Sequence, residues 1–284
     1  MLKPEAPLIM TINWKNWIAE IDFKSTESRR KKIIEMLEHF GLKYELHQYE
    51  TGVNVIVQFG TGPLFFAVSC HIDRFKGSGG ANDNASSIAV CLGLAQYFAS
   101  KPTAINLIIL FFDEEEYGLK GSKAYVRHFG FDNIDSLVNL ELVGIGENIV
   151  LWPVYEPPNP ITKRIQKLLT DILNNEFVHE TSDEFLIKNE SLLLSFFPLY
   201  YSDAESFTEA GFNNAITLSR IGQKDYLNAE LYLKGNVIDK FEHLISESEL
   251  LKNYHNKGDN SSIINNLHIQ NTIHILITLI EQDA

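Results

Sequence analysis

The chain is short of cysteine, of positive charge and of long apolar runs, and each shortage removes a class of protein. Its 284 residues hold two cysteines, Cys70 and Cys91, with no C-x-x-C pair, so a disulfide framework is excluded. Lysine and arginine number 24 against 37 acids, and the formal charge of -13 argues against nucleic acid or an anionic membrane as partner, since both need a basic face. No apolar run is long enough to span a bilayer. Residues 1–20 lack a basic start followed by an unbroken apolar core, so no secretory signal is visible and a cytoplasmic location is the default expectation. Internal repeats, low-complexity tracts and a convincing domain boundary are also missing. A single domain over residues 1–284 is therefore expected, with a surface excursion near 222–251 where charged helical patterning recurs.

What is present is an ordinary globular composition, 45% hydrophobic and 21% charged, with ample material for a core. Residues 25–40 carry an apolar stripe of Ile33, Ile34, Leu37 and Phe40 between a Ser25 or Thr26 cap and Gly41, which predicts a helix. Residues 42–46 alternate as a half-exposed strand, 53–59 follow as a second, and 64–70 as a third after the turn Gly60-Thr61-Gly62-Pro63. A glycine-rich loop then leads into a helix over 85–99. Strands at 107–112, 136–141 and 215–219 and helices at 121–129, 161–173 and 262–282 complete the pattern, with the proline-rich stretch 150–160 read as a loop and 179–201 unassigned. Strand and helix alternate through the middle of the chain, which predicts an α/β fold, a three-layer αβα sandwich around a mixed, mostly parallel sheet.

One strand runs straight into Asp113-Glu114-Glu115-Glu116 and then a glycine-bounded turn. Adjacent carboxylates repel one another, so ordinary stability does not favour them at a strand exit. They are either a solvated acidic loop or part of a metal site. Partners elsewhere decide between the two. His71 and Asp73 follow the third strand, Asp83 opens the next helix, and Glu141 ends the strand after the acids. In open α/β sheets, sites form beyond the carboxyl ends of strands. Each residue has an unremarkable reading alone: a loop histidine, a helix cap for Asp83, a surface acid for Glu141. Far downstream His255 reads as a loop residue and Asp259 as a helix-start acid.

Taken in order, His71-Ile72-Asp73, Gly80-Ala81-Asn82-Asp83-Asn84-Ala85-Ser86, Glu115-Glu116-Tyr117-Gly118-Leu119-Lys120-Gly121-Ser122, Asn139-Leu140-Glu141 and His255 resemble the two-zinc aminopeptidases of the aminopeptidase Y and transferrin-receptor-like superfamily, which also contains glutaminyl cyclases. The resemblance implies a bare catalytic domain, without the insertion domains of larger members. It implies two Zn2+ per chain, bridged by Asp83, with His71 and Glu141 completing one ligand set and Glu116 and His255 the other. Glu115 would be the general base, and Asp73 would hold the His71 imidazole in the right tautomer. The substrates implied are peptides with a free N-terminus, and the reaction is removal of the N-terminal residue by a water deprotonated between the metals. Two alternatives stand beside it, a glutaminyl cyclase or other amide-directed enzyme on the same site, and a non-catalytic binding module.

Two positions depart from the family pattern. Glu141 stands where many relatives have aspartate, and Ala204, within Ser202-Asp203-Ala204-Glu205-Ser206-Phe207, stands in place of a histidine that helps stabilise the developing oxyanion. Tyr200 or Tyr201 is the expected substitute for that donor. Cys70 should point away from His71 by strand alternation, and Cys91 should be core. Asp113 and Glu114 are expected to cap or solvate the turn, and Phe196 and Phe197 to pack in the core or line a side-chain pocket.

Overall fold

The computed structural model describes residues 12–101, 105–153, 157–173, 192–194, 202–225 and 248–282. The chain enters through two helices. α1 (Trp14–Ile21) buries Trp14, Trp17, Ile18 and Ile21, and α2 (Thr26–His39) is capped by Ser25, whose hydroxyl accepts from the Ser28 amide. The strands β1 (Glu45–Gln48), β2 (Val53–Phe59) and β3 (Phe65–His71) follow, then α3 (Ser86–Ala99), β4 (Leu107–Phe112), α4 (Lys120–Phe129), β5 (Ile134–Leu140) and β6 (Asn148–Trp152). Next come α5 (Pro160–Leu173), β7 (Leu192–Leu194), α6 (Asp203–Glu209), β8 (Ala215–Ile221), α7 (Glu249–Asn253) and α8 (Asn266–Glu281).

Among the described residues the strands form one sheet in the order β1-β2-β4-β3-β5-β8-β6-β7. Its centre is parallel, β3 pairing with β4 and β5, and β5 with β8; β1 with β2, β2 with β4, and β6 with β8 pair antiparallel. Every residue of β3, β4 and β8 is buried, as strands covered on both faces must be; β4 is apolar throughout, while β3 and β8 also bury polar residues, among them Ser69, Thr217, Ser219 and Arg220. α1, α2, α3, α5 and α8 cover one face through a core that includes Trp14, Ile33, Leu92, Ile165 and Ile273. α4 and α6 cover the other through Tyr125, Ala204 and Phe207. The expected three-layer αβα sandwich is what forms.

Several boundaries moved for physical reasons. The first strand lies at Glu45–Gln48 rather than 42–46, because the turn at 49–52 sets its register: Gln48 faces Val53, and the Tyr49 amide donates to the Gly52 carbonyl. The stretch 150–160, expected as a loop, gives its first three residues to β6, which pairs with β8 before the first proline, Pro153. Neither α1 nor β7 was anticipated. Residues 226–247, most of the expected excursion, lie outside the described residues, as do Phe196, Phe197, Tyr200 and Tyr201.

Candidate metal centre

The chain leaves β3 to form β4 on one side and then crosses back to form β5 on the other. The carboxyl ends of these three strands therefore meet at a switch point, where a crevice opens. His71 ends β3, Glu115 and Glu116 stand in a short turn after β4, and Glu141 follows β5. Asp83 is delivered by a tight turn over Ala81–Ala85 ahead of α3, and its peptide bond to Asn84 is cis. His255 comes from the loop between α7 and α8.

These side chains form two groups that share one carboxylate. His71, Asp83 and Glu141 place ligand atoms within 4.8 Å of one another, and so do Asp83, Glu116 and His255. His71 Nε2 lies 3.1 Å from Asp83 Oδ1 and 3.3 Å from Glu141 Oε2. His255 Nε2 lies 3.4 Å from Asp83 Oδ2 and 3.2 Å from Glu116 Oε2. Asp83 thus turns one oxygen to each imidazole. The longer Glu141 side chain reaches the same group without difficulty. Glu115 belongs to neither group.

The donor set fits a pair of divalent cations of the zinc type, which take imidazole nitrogen and carboxylate oxygen. Buried polar atoms normally have partners. Here Asp83 Oδ2, Glu116 Oε1 and His255 Nε2 are buried with no hydrogen-bond partner, as expected of atoms arranged for something other than one another.

The charges reinforce one another. Burial resists ionisation of Asp83, but the His255 and His71 imidazoles on either side hold its carboxyl below the usual range. Burial disfavours the charged form of His71, yet Glu141 and Glu115 outweigh it and hold the imidazole well above its ordinary value. His255 is raised to about 9, Asp83 and Glu116 overcoming the opposing effect of burial. Glu115 is pushed up chiefly by burial, against His71 and with Glu141 adding to the rise.

The surrounding residues hold this arrangement. With His71 Nε2 facing the shared carboxylate, Asp73 Oδ1 lies 3.3 Å from His71 Nδ1. Its two oxygens also accept from the Glu115 and Glu116 amides at 3.0 and 3.1 Å, tying the β3 exit to the β4 exit. Asp259, expected as a helix-start acid, instead accepts from the Asn82 and Asp83 amides at 2.6 and 3.1 Å. The His255 ring stacks on Tyr254 and on Phe75, with centroids 3.7 and 4.1 Å away. Sequence reasoning gave Phe75 and Tyr254 no role, and no periodicity could have singled them out.

The remaining expectations sort cleanly. Asp113 accepts from the Val53 and Glu114 amides and pairs with Arg30 at 2.9 Å, and Glu114 bonds Thr51, Tyr49 and Lys120, so both serve the turn. Cys70 on β3 and Cys91 on α3 are both buried in the core. Ala204, on α6, packs among the apolar residues of that layer, and its side chain supplies no polar group. The tyrosines expected to replace the missing histidine lie outside the described residues.

The fold is shared with LapB from Legionella pneumophila (TM-score 0.69, 17% identity, covering 99% of this chain and 76% of that one). It is shared with a glutaminyl cyclase from Porphyromonas gingivalis (TM-score 0.67, 16% identity, 95% of each chain). A third match is BSAP, a zinc aminopeptidase from Bacillus subtilis (TM-score 0.60, 20% identity, 82% of this chain and 50% of that one). In sequence, the chain is 31% identical over 156 residues to a vacuolar membrane protease of Candida tropicalis, covering 51% of this chain and 17% of the relative. A vacuolar membrane protease of Meyerozyma guilliermondii is 36% identical over 110 residues, 37% of this chain and 11% of the relative. In eight of the curated relatives it matches, the aligned part spans between 9% and 20% of their length. Their name bears out neither the cytoplasmic expectation nor the expectation of no membrane contact, although no described helix is long and apolar enough to cross a bilayer. The profile of peptidase family M28 matches residues 54–280, a span that contains His71, Asp83, Glu115, Glu116, Glu141 and His255, and the chain belongs to that family.

Proposed function

We propose that the chain is a zinc-dependent aminopeptidase that binds two metal ions through a shared Asp83. The observation that carries this reading is the sharing itself: one buried carboxylate, two imidazoles and two further acids in two overlapping groups. His71, Asp83 and Glu141 would hold one ion, and Asp83, Glu116 and His255 the other. When bound, the ions would supply Lewis acidity for the scissile carbonyl and a lowered pKa for the attacking water.

The chain's own residues do the rest. Glu115 takes the proton from the attacking water and passes it to the leaving amine. Burial lifts its carboxyl above the ordinary range, the direction that suits a group that both takes and returns a proton. Asp73 keeps the His71 ring oriented and holds the Glu115 and Glu116 amides in place. The substrate is a peptide with a free N-terminus. Full-length overlap with a glutaminyl cyclase fold supports a second reading, cyclisation of an N-terminal glutamine.

Metal analysis paired with a panel of aminoacyl anilides tests the proposal. Free-amine substrates should be cleaved and their N-acetylated forms spared; conversion of glutaminyl peptides alone would favour the cyclase. Glu115→Gln should keep its metal and lose roughly 10²–10⁴-fold in kcat, the range for general acid–base catalysis. Retained activity with lost metal would sink the assignment.

A further inference from the structure

We propose that Arg29 is a positioning residue for the metal centre, its guanidinium fastening the β3 exit that carries His71 and Asp73 to the glycine-rich loop that carries Asp83. The proposal rests on the metal-centre reading above.

Arg29 lies on α2, outside every motif that marks the site, and is fully buried. Its Nε donates to the Ile21 carbonyl at 3.3 Å. Nη1 donates to the carbonyls of Ile72 and Asp73 at 3.2 and 3.3 Å, and Nη2 to those of Gly79 and Gly80 at 2.9 and 2.7 Å. A guanidinium has five N–H groups, and here each one meets a backbone carbonyl. Among the described residues no carboxylate stands within ion-pair distance of it. Burial lowers its pKa only to about 10, so the group is a cation at neutral pH.

Burying an unpaired cation is costly unless its hydrogen bonds are complete. If Arg29 served only to attach the N-terminal helices, its bonds would run mainly to α1 and α2. One of the five does, to Ile21 at the end of α1. The other four go to residues 72–73 and 79–80, the two segments that flank the ligands His71 and Asp83. A lysine offers three donors on a point charge and cannot span both segments in this way.

The loop is gripped from its other side as well. Asp259 accepts from the amides of Asn82 and Asp83, so Arg29 holds carbonyls at the start of the loop while Asp259 holds amides at its end. Gly80 makes the grip possible. Its φ of +68° suits glycine, and a Cβ there would lie 2.5 Å from Arg29 Nη2. The bridging carboxylate therefore sits on a segment whose position is set before any metal arrives, which lowers the ordering cost of binding.

The test is the zinc affinity of the whole chain, measured by competition with a chromogenic chelator, together with the Tm of each metal-free variant. Arg29→Lys should weaken zinc binding by roughly 10–100-fold, the usual effect of removing a group that orients metal ligands. Leu37→Ala is the control, a cavity in the same helix that lowers Tm and should leave zinc affinity unchanged. Unchanged affinity in Arg29→Lys, or an equal loss in Leu37→Ala, overturns the proposal. Should Arg29→Lys fail to fold, Arg29→Gln, which keeps a short amide donor and loses the five-donor fork, takes its place; zinc binding weakened beyond that of Leu37→Ala supports the proposal and unchanged binding overturns it. A wild-type chain that takes up no zinc overturns the metal centre and the role of Arg29 together, whereas zinc uptake with unaltered Arg29→Lys affinity overturns only the latter.

Discussion

Asp83 is the residue on which both halves of the centre depend. Its two oxygens face different imidazoles, at 3.1 and 3.4 Å, so its loss should be felt twice. Asp83→Ala is expected to abolish binding of both metal ions, while His255→Ala should leave one ion bound per chain. Metal analysis of the purified variants checks this, and equal stoichiometry in the two would refute the shared-ligand geometry. The backbone beside the ligands is under tension. Glu114, Leu142 and His255 adopt φ of 55°, 59° and 57°, a left-handed conformation unusual for residues with a Cβ. Each costs of order 1 kcal/mol or more, and such residues persist where the surroundings over-determine them. Here one precedes Glu115, one follows Glu141, and the third is itself a candidate ligand.

At the scale of elements, α3 is the platform on which the Asp83 turn rests. It is apolar on all sides from Ile88 to Ala95, as a helix enclosed between the sheet and α8 must be. Glycine inside a helix costs roughly 0.5–1 kcal/mol relative to alanine, yet Gly93 stands where α8 crosses. A Cβ at that position would lie 3.0 Å from Ile273 Cγ1 and closer still to its Cδ1. Gly93→Ala should therefore destabilise the chain by about 1–3 kcal/mol through overpacking. The penalty should shrink in the Ile273→Val background, where Cδ1 is gone. A double-mutant cycle in urea measures the coupling, and additive effects would show that the helices do not meet there. This contact also marks a limit of sequence reading. The apolar face of α8 is legible from its period, but the partner of Ile273 is not, since any helix of the layer could have lain against it.

For the molecule as a whole, stability is tied to pH through a histidine outside the candidate ligand set. His268 on α8 has its pKa lowered from 6.5 to about 4, mainly by burial and further by the Arg220 charge. Between these values the unfolded chain binds a proton that the folded chain refuses. Stability present above pH 6.5 is therefore lost as pH falls toward 4. Calorimetry on chelated protein, where metal release cannot contribute, should show a smaller fall in Tm between pH 7 and pH 4.5 for His268→Gln than for wild type. Parallel curves would exclude this histidine as a source of acid sensitivity.

How far the amino-acid order reaches follows from where each interaction has its partner. The Ser25 cap with its helix and the buried runs of β3 and β4 are local patterns, so the αβα sandwich was legible in the sequence alone, whereas the acids at the β4 exit left a solvated loop and a metal site both open until the family pattern was laid over them. His255 was legible only through the family pattern, since a lone loop histidine has no local signature. Tertiary structure decided the rest. It extended β6 into residues read as loop, turned Asp259 from a helix-start acid into a clamp on the Asp83 turn, and brought Arg29 to the carbonyls of two distant segments. The reason is physical. A backbone amide or carbonyl is the same at every position, so side-chain order cannot say which ones a buried carboxylate or guanidinium will find until the chain has folded around them.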